Sequence, residues 1–458
     1  MTPARVLTIF LAVALAGCGD DAASVTDAAI APRDAAGLDS GVGPATDGGG
    51  SGDAGDGPRD AGGGGGYDGG AGPPTGCMPA RLTYYDVVGA GACEVMDVAS
   101  ALPRIARDGF TTAIGEPWWG GSLGGDPAEA CGECWELTTA SATQTVVVTD
   151  LCPIAGNPLC AGEFFHFDVA HTAAGPLGYE TAGIVQAAAR RVPCPVEGNV
   201  FAVIRDQNPW FIRLALADVR VAIRAVDYRG AGAGVAADNP WTAMHRDGGA
   251  WAVTSSGTML ARGGTGVVLR ITTAQGQVVE SAALIASGAA PRTAVDLGVQ
   301  VDDLAAPTGS ACGWRPPDPY VDGLGGIPGV AWRQGGWGGG MIDVASTTGC
   351  RAGSCIRVAG LDGWGGVQLY YNQPFPWAGL SRLTLSASAP TDVPLELKLL
   401  GEGGAECVAV DFTAGAAFGR VELDLATACG GAAEVATVQV QLMRAAAGDF
   451  VLDDIVFE

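Results

Sequence analysis

Residues 131–153 read Cys-Gly-Glu-Cys-Trp-Glu-Leu-Thr-Thr-Ala-Ser-Ala-Thr-Gln-Thr-Val-Val-Val-Thr-Asp-Leu-Cys-Pro. The run Thr145-Val146-Val147-Val148-Thr149 is short and β-like, and Phe164 to Val169 makes a second such run. From Cys77 to about Pro195 these runs alternate with Gly-rich turns, and seven cysteines lie among them. In an exported chain that usage implies disulfides.

The β pattern continues outward. Phe201 and Val203, then Ile212, Leu214 and Leu216, then Val267, Leu269 and Ile271 alternate with polar or small residues, with a turn at Gln275-Gly276. This period of two marks half-buried antiparallel strands over a second unit, 196–290. Residues 291–317 read as a connector. A third unit, 318–458, carries Leu383-Thr384-Leu385, Leu395-Glu396-Leu397-Lys398-Leu399 and Val438-Gln439-Val440-Gln441-Leu442, and ends in Phe450 to Phe457. Alternation of this kind predicts a β-sandwich or jelly roll. Helix-period patterns are scarce, so the fold class is all-β.

Upstream, the reading concerns compartment. Arg5 precedes an apolar run, Val6 to Gly17, too short to span a bilayer and suited to a signal-peptide core. It ends in Leu15-Ala16-Gly17-Cys18, which resembles a bacterial lipobox, so 1–18 reads as a lipoprotein signal and Cys18 as the lipidated residue. A plain secretory signal with a chance cysteine is the alternative. Residues 19–76 hold 10 Asp against 2 Arg among Gly, Ala, Pro, Ser and Thr. Such a stretch cannot repay the entropy of ordering and reads as a disordered acidic tether with a reach of roughly 40 Å. The expected location is the bacterial cell envelope, outer membrane or surface. The 458 residues carry 49 acidic and 25 basic side chains, a formal charge of −24, with Lys398 the one lysine. That balance argues against nucleic acid as the partner.

Six strings stand in order in the first unit: Leu82-Thr83-Tyr84-Tyr85-Asp86, Gly91-Ala92-Cys93, Cys131 to Leu137, Val148 to Pro153, His166-Phe167-Asp168, and Arg190 to Cys194. Together they resemble the expansin family, including bacterial and fungal expansin-like members, and the second unit fits the expansin C-terminal module. The likeness covers 77 to about 290. It implies a six-stranded double-psi β-barrel over 77–195, packed on an immunoglobulin-like carbohydrate-binding sandwich over 196–290. It also implies loosening of cellulose or other β-glucan walls without evident hydrolysis. The barrel is related to inverting family 45 glycoside hydrolases, so a β-1,4-glucanase is the first alternative. A peptidoglycan-acting lipoprotein like rare lipoprotein A is the second.

The resemblance assigns roles to residues. Asp168 matches the general acid of the hydrolases. Asp86 stands where they carry the base, which an inverting enzyme needs about 6.5–9.5 Å away. Asp86 also reads as a turn residue before Gly89. Asp150 and Thr83 match groove residues beside the acid, where a second carboxylate raises a pKa; Asp150 also reads as a strand-end residue bonding backbone. Tyr84, Tyr85, Trp118 and Trp119 line the groove or fill the barrel, and two adjacent tryptophans in a strand cannot both be core. In the second unit Trp210 and Phe211 match a flat cellulose-binding strip, with Trp251 extending it and Arg205 adding a polar contact. In the third, which resembles jelly-roll carbohydrate-binding modules, Trp337 and Trp364 are the binding aromatics. Asp453 and Asp454 mark a possible structural calcium; no other cofactor is expected, and the chain is expected to be monomeric.

For the cysteines, likeness to plant expansins pairs Cys93 with Cys131 and Cys134 with Cys194. Cys152 and Cys160 are near enough for a local bridge, and Cys350–Cys355 and Cys407–Cys429 fit the third unit. Cys77 and Cys312 remain, and their pairing ties the entry of the third unit to the barrel. A redox or zinc role for the Cys131/Cys134 pair lacks a βαβ context and a partner motif.

Overall fold

The computed structural model describes residues 76–120, 126–162, 165–255, 258–302, 304–305, 311–327, 329–376, 380–401, 404–425 and 434–458. The lipobox Cys18, the 19–75 stretch, Trp377 and Cys429 lie outside them. No helix among the described residues is long and apolar enough to cross a membrane.

Six strands close a barrel: β1 (Met78–Tyr85), β2 (Thr111–Gly115), β3 (Cys134–Thr138), β4 (Thr143–Cys152), β5 (Phe165–Ala170) and β6 (Val185–Val192), in the order β1-β5-β2-β4-β3-β6. The β1–β5 and β2–β4 pairs are parallel and the others antiparallel, a double-psi arrangement. Period-two alternation sends Leu82, Ile114, Trp135, Val146, Val148, Phe167 and Val169 into the lumen, all buried. The residues between them in sequence therefore face outward, and those carry the chemistry.

A sandwich follows. One sheet orders β11 (His245–Asp247), β12 (Ala250–Thr254), β8 (Phe211–Ala217), β7 (Phe201–Asn208) and β16 (Ala294–Asp296). The other holds β10 (Thr242–Ala243), β9 (Ile223–Ala231), β13 (Gly266–Thr273), β14 (Val278–Glu280) and β15 (Ile285–Ala286). Strand β16 lies inside the 291–317 stretch read as a connector, and Leu297 and Val301 join the same core. Three residues are too few to show a period, which is why the sequence hides this strand.

The first sheet packs its outer face on the barrel through Val203, Ala215 and Ala217 against Cys93, Val95, Val98 and Leu102. Charge complements this contact. The barrel supplies Glu94, Asp97 and Glu129; the sandwich supplies Arg213 to Glu94, Arg205 (2.7 Å) and Arg292 (3.0 Å) to Asp97, and Arg224 (2.9 Å) to Glu129. The Arg205 hydrogen bond holds the Asp97 carboxyl below its usual range, outweighing burial. Its contribution is present above the usual carboxylate pKa and lost as pH falls through the lowered folded value. Asp97→Asn is expected to cost about 1–2 kcal/mol at pH 7. Urea titrations should show that deficit closing below about pH 4.

The third unit is a two-sheet sandwich. One sheet orders β17 (Arg333–Trp337), β20 (Gly366–Pro376), β25 (Glu434–Leu442), β22 (Val393–Gly401) and β23 (Glu406–Ala414). The other orders β18 (Met341–Ser346), β19 (Cys355–Leu361), β26 (Gly448–Phe457), β21 (Arg382–Ser388) and β24 (Gly419–Asp424). Trp332, Phe375, Phe450 and Phe457 fill its centre. It touches the barrel: Trp314 Nε1 donates to the Gln186 carbonyl (3.0 Å), and Ile184 packs against its core. Disulfides join Cys77–Cys312, Cys93–Cys131, Cys134–Cys194, Cys152–Cys160 and Cys350–Cys355. Cys407 is also disulfide-bonded.

Candidate functional site

The parallel register of β1 and β5 sets Arg81 beside His166 and Thr83 beside Asp168. All four side chains alternate with lumen residues, so they share the outer face. Thr83 Oγ1 donates to Asp168 Oδ1 at 2.6 Å and lies 3.1 Å from His166 Nε2, while Arg81 Nε donates to His166 Nδ1 at 2.9 Å. Arg81 and His166 are almost wholly buried, and Asp168 is half-buried. Burial, with the Arg81 charge beside it, takes the His166 pKa down to about 3, so the ring is neutral. Burial lowers Arg81 to about 10, still protonated at neutral pH. Asp168 is pushed up by burial, pulled back in part by Thr83, and raised further by the Asp150 charge.

Asp150 reaches the same face because Ala113 of β2 sits opposite both it and Asp168. Its Oδ1 accepts from the backbone N–H groups of Ala92 (2.7 Å) and Leu151 (2.9 Å), and its Oδ2 accepts from the Tyr85 hydroxyl (3.3 Å). The loop carrying Ala92 approaches that closely because Gly91 has φ +65°, and a Cβ there would fall 2.5 Å from the Thr149 carbonyl oxygen. Asp150 thus holds a loop and raises Tyr85, whose phenol burial already lifts above its usual range. The two carboxylates, Thr83 and Tyr85 gather on one acidic face of the barrel, at the place where the resemblance puts a groove.

Asp86 follows the end of β1. Its side chain is 88% exposed, and Oδ1 sits 3.5 Å from His171 Nδ1, whose Nε2 lies 3.0 Å from Glu180 Oε1. Tyr84 stacks on that His171 ring at 4.6 Å. The expected base therefore stands in a carboxylate–histidine–carboxylate cluster at the rim. His171, in a short helical turn just after β5, makes this arrangement, and single-residue matching could not reveal it.

Trp118 and Trp119 take the packing alternative. Glu116–Trp118 is a 3-10 turn, where strand alternation does not apply. Both indoles are half-buried: Trp118 stacks on Phe165 at 4.0 Å, and Trp119 packs on the barrel core. The strip in the second unit is not a row. Trp210 is 46% exposed at the β7–β8 turn, with Asn208 capping its N–H, and Phe211 is half-buried. Trp251 is 3% exposed in the sandwich core, with the Arg246 guanidinium 4.1 Å over its ring. Arg205 is spent on Asp97 rather than presented to a ligand. Trp251→Ala is expected to cost about 3–5 kcal/mol by equilibrium unfolding. Trp210→Ala should stay within about 0.5 kcal/mol.

In the third unit Trp337 lies across Gly366, where a Cβ would fall 2.2 Å from the ring, and its Nε1 donates to the Trp364 carbonyl. Trp364 is 52% exposed with φ +64°. Asp453 and Asp454 are engaged by Arg351: its backbone N–H donates to Asp453 (3.0 Å) and its guanidinium to Asp454 (2.7 Å). Calcium takes six to eight oxygens. Among the described residues no cluster of three His, Cys, Asp or Glu groups includes either carboxylate. The one such cluster is Cys152, Cys160 and His166, and its two sulfurs form a disulfide, leaving no thiolate to bind a metal. Arg81, Tyr179 and Glu180 belong to the site without having been singled out in the sequence. Arg81 stands two residues before Thr83, on its face, and that spacing is the signal that points to it.

Residues 80–198 match the family model described as EXPB1-like domain 1. Expansin-B11 of rice (Oryza sativa subsp. japonica) is 31% identical over 211 residues, covering 40% of this chain and 64% of that protein. The chain spans 31% to 64% of the length of the curated relatives it matches. A crystal structure of a substituted Clavibacter michiganensis expansin in complex with cellohexaose aligns over 50% of this chain and 100% of that one, at 21% identity and TM-score 0.37. A family 11 carbohydrate-binding module from Clostridium thermocellum, with a β-1,3-1,4-mixed-linked tetrasaccharide, aligns over 29% of this chain and 89% of that one at 11% identity and TM-score 0.22. Residues 80–198 are thus similar to the first domain of expansins, and the chain carries a further β-sandwich beyond the expansin-like part.

Proposed function

We propose that this protein binds cellulose or a related β-glucan and loosens contacts between its chains without cutting them. The observation that carries the reading is the groove on the outer face of the barrel. There a half-buried Asp168, raised by burial and by Asp150, accepts from Thr83, while Asp150 accepts from Tyr85. Such a carboxyl exchanges its proton nearer neutral pH than an ordinary aspartate, which suits competition for sugar hydroxyl hydrogen bonds. The glucanase reading needs a second carboxylate free to activate water. Asp86 lies beside His171, 88% exposed, while Asp150 spends its oxygens on the backbone and on Tyr85, and this arrangement favours the reading without hydrolysis.

Trp210 and Trp364 are the exposed indoles that support sugar stacking. The signal-like residues 1–18 and the acidic 19–76 stretch support export and attachment through Cys18 to the bacterial envelope. Co-sedimentation with amorphous cellulose and with purified peptidoglycan sacculi tests the partner. Retention on cellulose that Trp210→Ala weakens is expected. Retention on sacculi alone overturns the reading.

A further inference from the structure

We propose that Arg81 and His166 are positioning residues for Asp168: a one-way chain of hydrogen bonds fixes the Thr83 hydroxyl as donor to Oδ1 and leaves Oδ2 as the oxygen that carries the proton. This rests on Asp168 being the working group of the groove, and it adds two residues that neither the motif reading nor the family likeness assigns.

The direction follows from donor inventory. A guanidinium has donors only. Arg81 Nε–H points at His166 Nδ1 (2.9 Å), so Nδ1 is an acceptor and bears no proton. In a neutral imidazole the proton is then on Nε2. Nε2 lies 3.1 Å from Thr83 Oγ1, so the hydroxyl oxygen accepts there, and its own hydrogen goes to Asp168 Oδ1, 2.6 Å away. Each donor leaves its neighbour one choice. Arg81, which stays charged, sets the direction of the whole chain.

The far end is closed to water. Arg81 is 2% exposed and His166 1% exposed. The Arg81 Nη2 group lies 3.4 Å from the Ala161 carbonyl. From the third unit Gly329 lies over the same guanidinium, so that a Cβ there would sit 3.8 Å from Nη1. The near end is less enclosed, since Asp168 is half-buried. Oδ2 of Asp168 lies 3.7 Å from the Cys152 sulfur, which in a disulfide has no hydrogen to donate. The charged or titratable groups that face Asp168 are Asp150 across β2, His166 beside it on β5, and Tyr85 and Tyr179. Tyr179 spends its hydroxyl on the Thr83 carbonyl, so it does not compete for Oδ1.

The test is the titration of the Asp168 carboxyl, followed by carbon NMR on the full chain labelled at aspartate. Thr83→Val removes the donor to the ionised form and should raise the Asp168 pKa by about one unit. His166→Phe and Arg81→Leu should raise it in the same direction, although neither touches Asp168, because the hydroxyl is then free to turn away. His166→Gln offers an amide oxygen to Arg81 and an amide N–H to Thr83, and it should restore the wild-type titration. Adding Thr83→Val to His166→Phe should shift nothing further. Should His166→Phe fail to fold, the Arg81→Leu and His166→Gln arms decide. An unchanged Asp168 titration in Arg81→Leu or His166→Phe, beside a shift in Thr83→Val, overturns the proposal. So does a His166→Gln titration as displaced as that of the phenylalanine form. No glucan enters these measurements, so failure of the glucan-loosening reading is seen separately, in assays on cellulose.

Discussion

Asp168→Asn should abolish weakening of cellulose sheets while raising the protein's own melting temperature at pH 7. Asparagine keeps the volume and keeps Oδ1 as the acceptor for Thr83, so the groove should hold its shape. What it loses is the exchangeable proton. The stability gain has a sign that follows from linkage. Burial raises the folded pKa of Asp168 above the unfolded value. Between the two values the folded state binds more protons, so stability falls as pH rises through that window. Above the raised folded value the wild type carries that penalty and the neutral asparagine carries none. At pH 3 the carboxyl is protonated in both states, and the two proteins should melt alike. Calorimetry at both pH values checks this. A lower melting temperature for Asp168→Asn at pH 7 would mean that the residue serves the fold and not the groove.

Replacing both Cys77 and Cys312 by serine should produce the largest loss of stability among single covalent changes in the described residues. The bond links residues 235 apart. In the chain-entropy model, cross-links over loops of a hundred residues or more are worth about 4–5 kcal/mol, and measured losses are typically about 2–4 kcal/mol. Other contacts between barrel and third unit include Trp314 on Gln186, Ala140 and Ile184 against the third unit's core, and Gly329 near Ile184, Arg81 and Leu159. The double serine form should unfold at lower urea, and limited proteolysis should cut between residues 311 and 331 first. Unchanged urea midpoints would show that packing alone seats the third unit.

Much of this architecture was legible in the sequence because strands announce themselves by period two. Leu82 and Thr83, or Phe167 and Asp168, alternate in a way that assigns one residue to the lumen and the next to the outside. The cysteine pairs that the sequence reading names among described residues are also those joined in the structure. The remainder depended on contacts between distant segments. Arg205 looks like a free cation until the sandwich is packed on the barrel and Asp97 arrives beneath it. Trp251 sits in a strand whose first four residues are all buried, covered by Arg246, so its face could not be read from its neighbours. Asp86 depends on the turn after β5 that delivers His171. Asp168 could be located from its string, but its hydrogen-bond direction required Arg81, 87 positions earlier, to be seen beside His166.

The central claim is that the groove acts on β-glucan through Asp168 without breaking a glycosidic bond. The most direct measurement is soluble-sugar release from amorphous cellulose and mixed-linkage β-glucan, run beside mechanical weakening of cellulose sheets. The parent protein, Asp86→Asn and Asp168→Asn are to be compared in both. The account predicts no sugar above blank for any of the three, and weakening that survives Asp86→Asn and disappears in Asp168→Asn. Sugar released by the parent and lost in both variants would contradict it, and would make the two aspartates the acid and base of an inverting hydrolase.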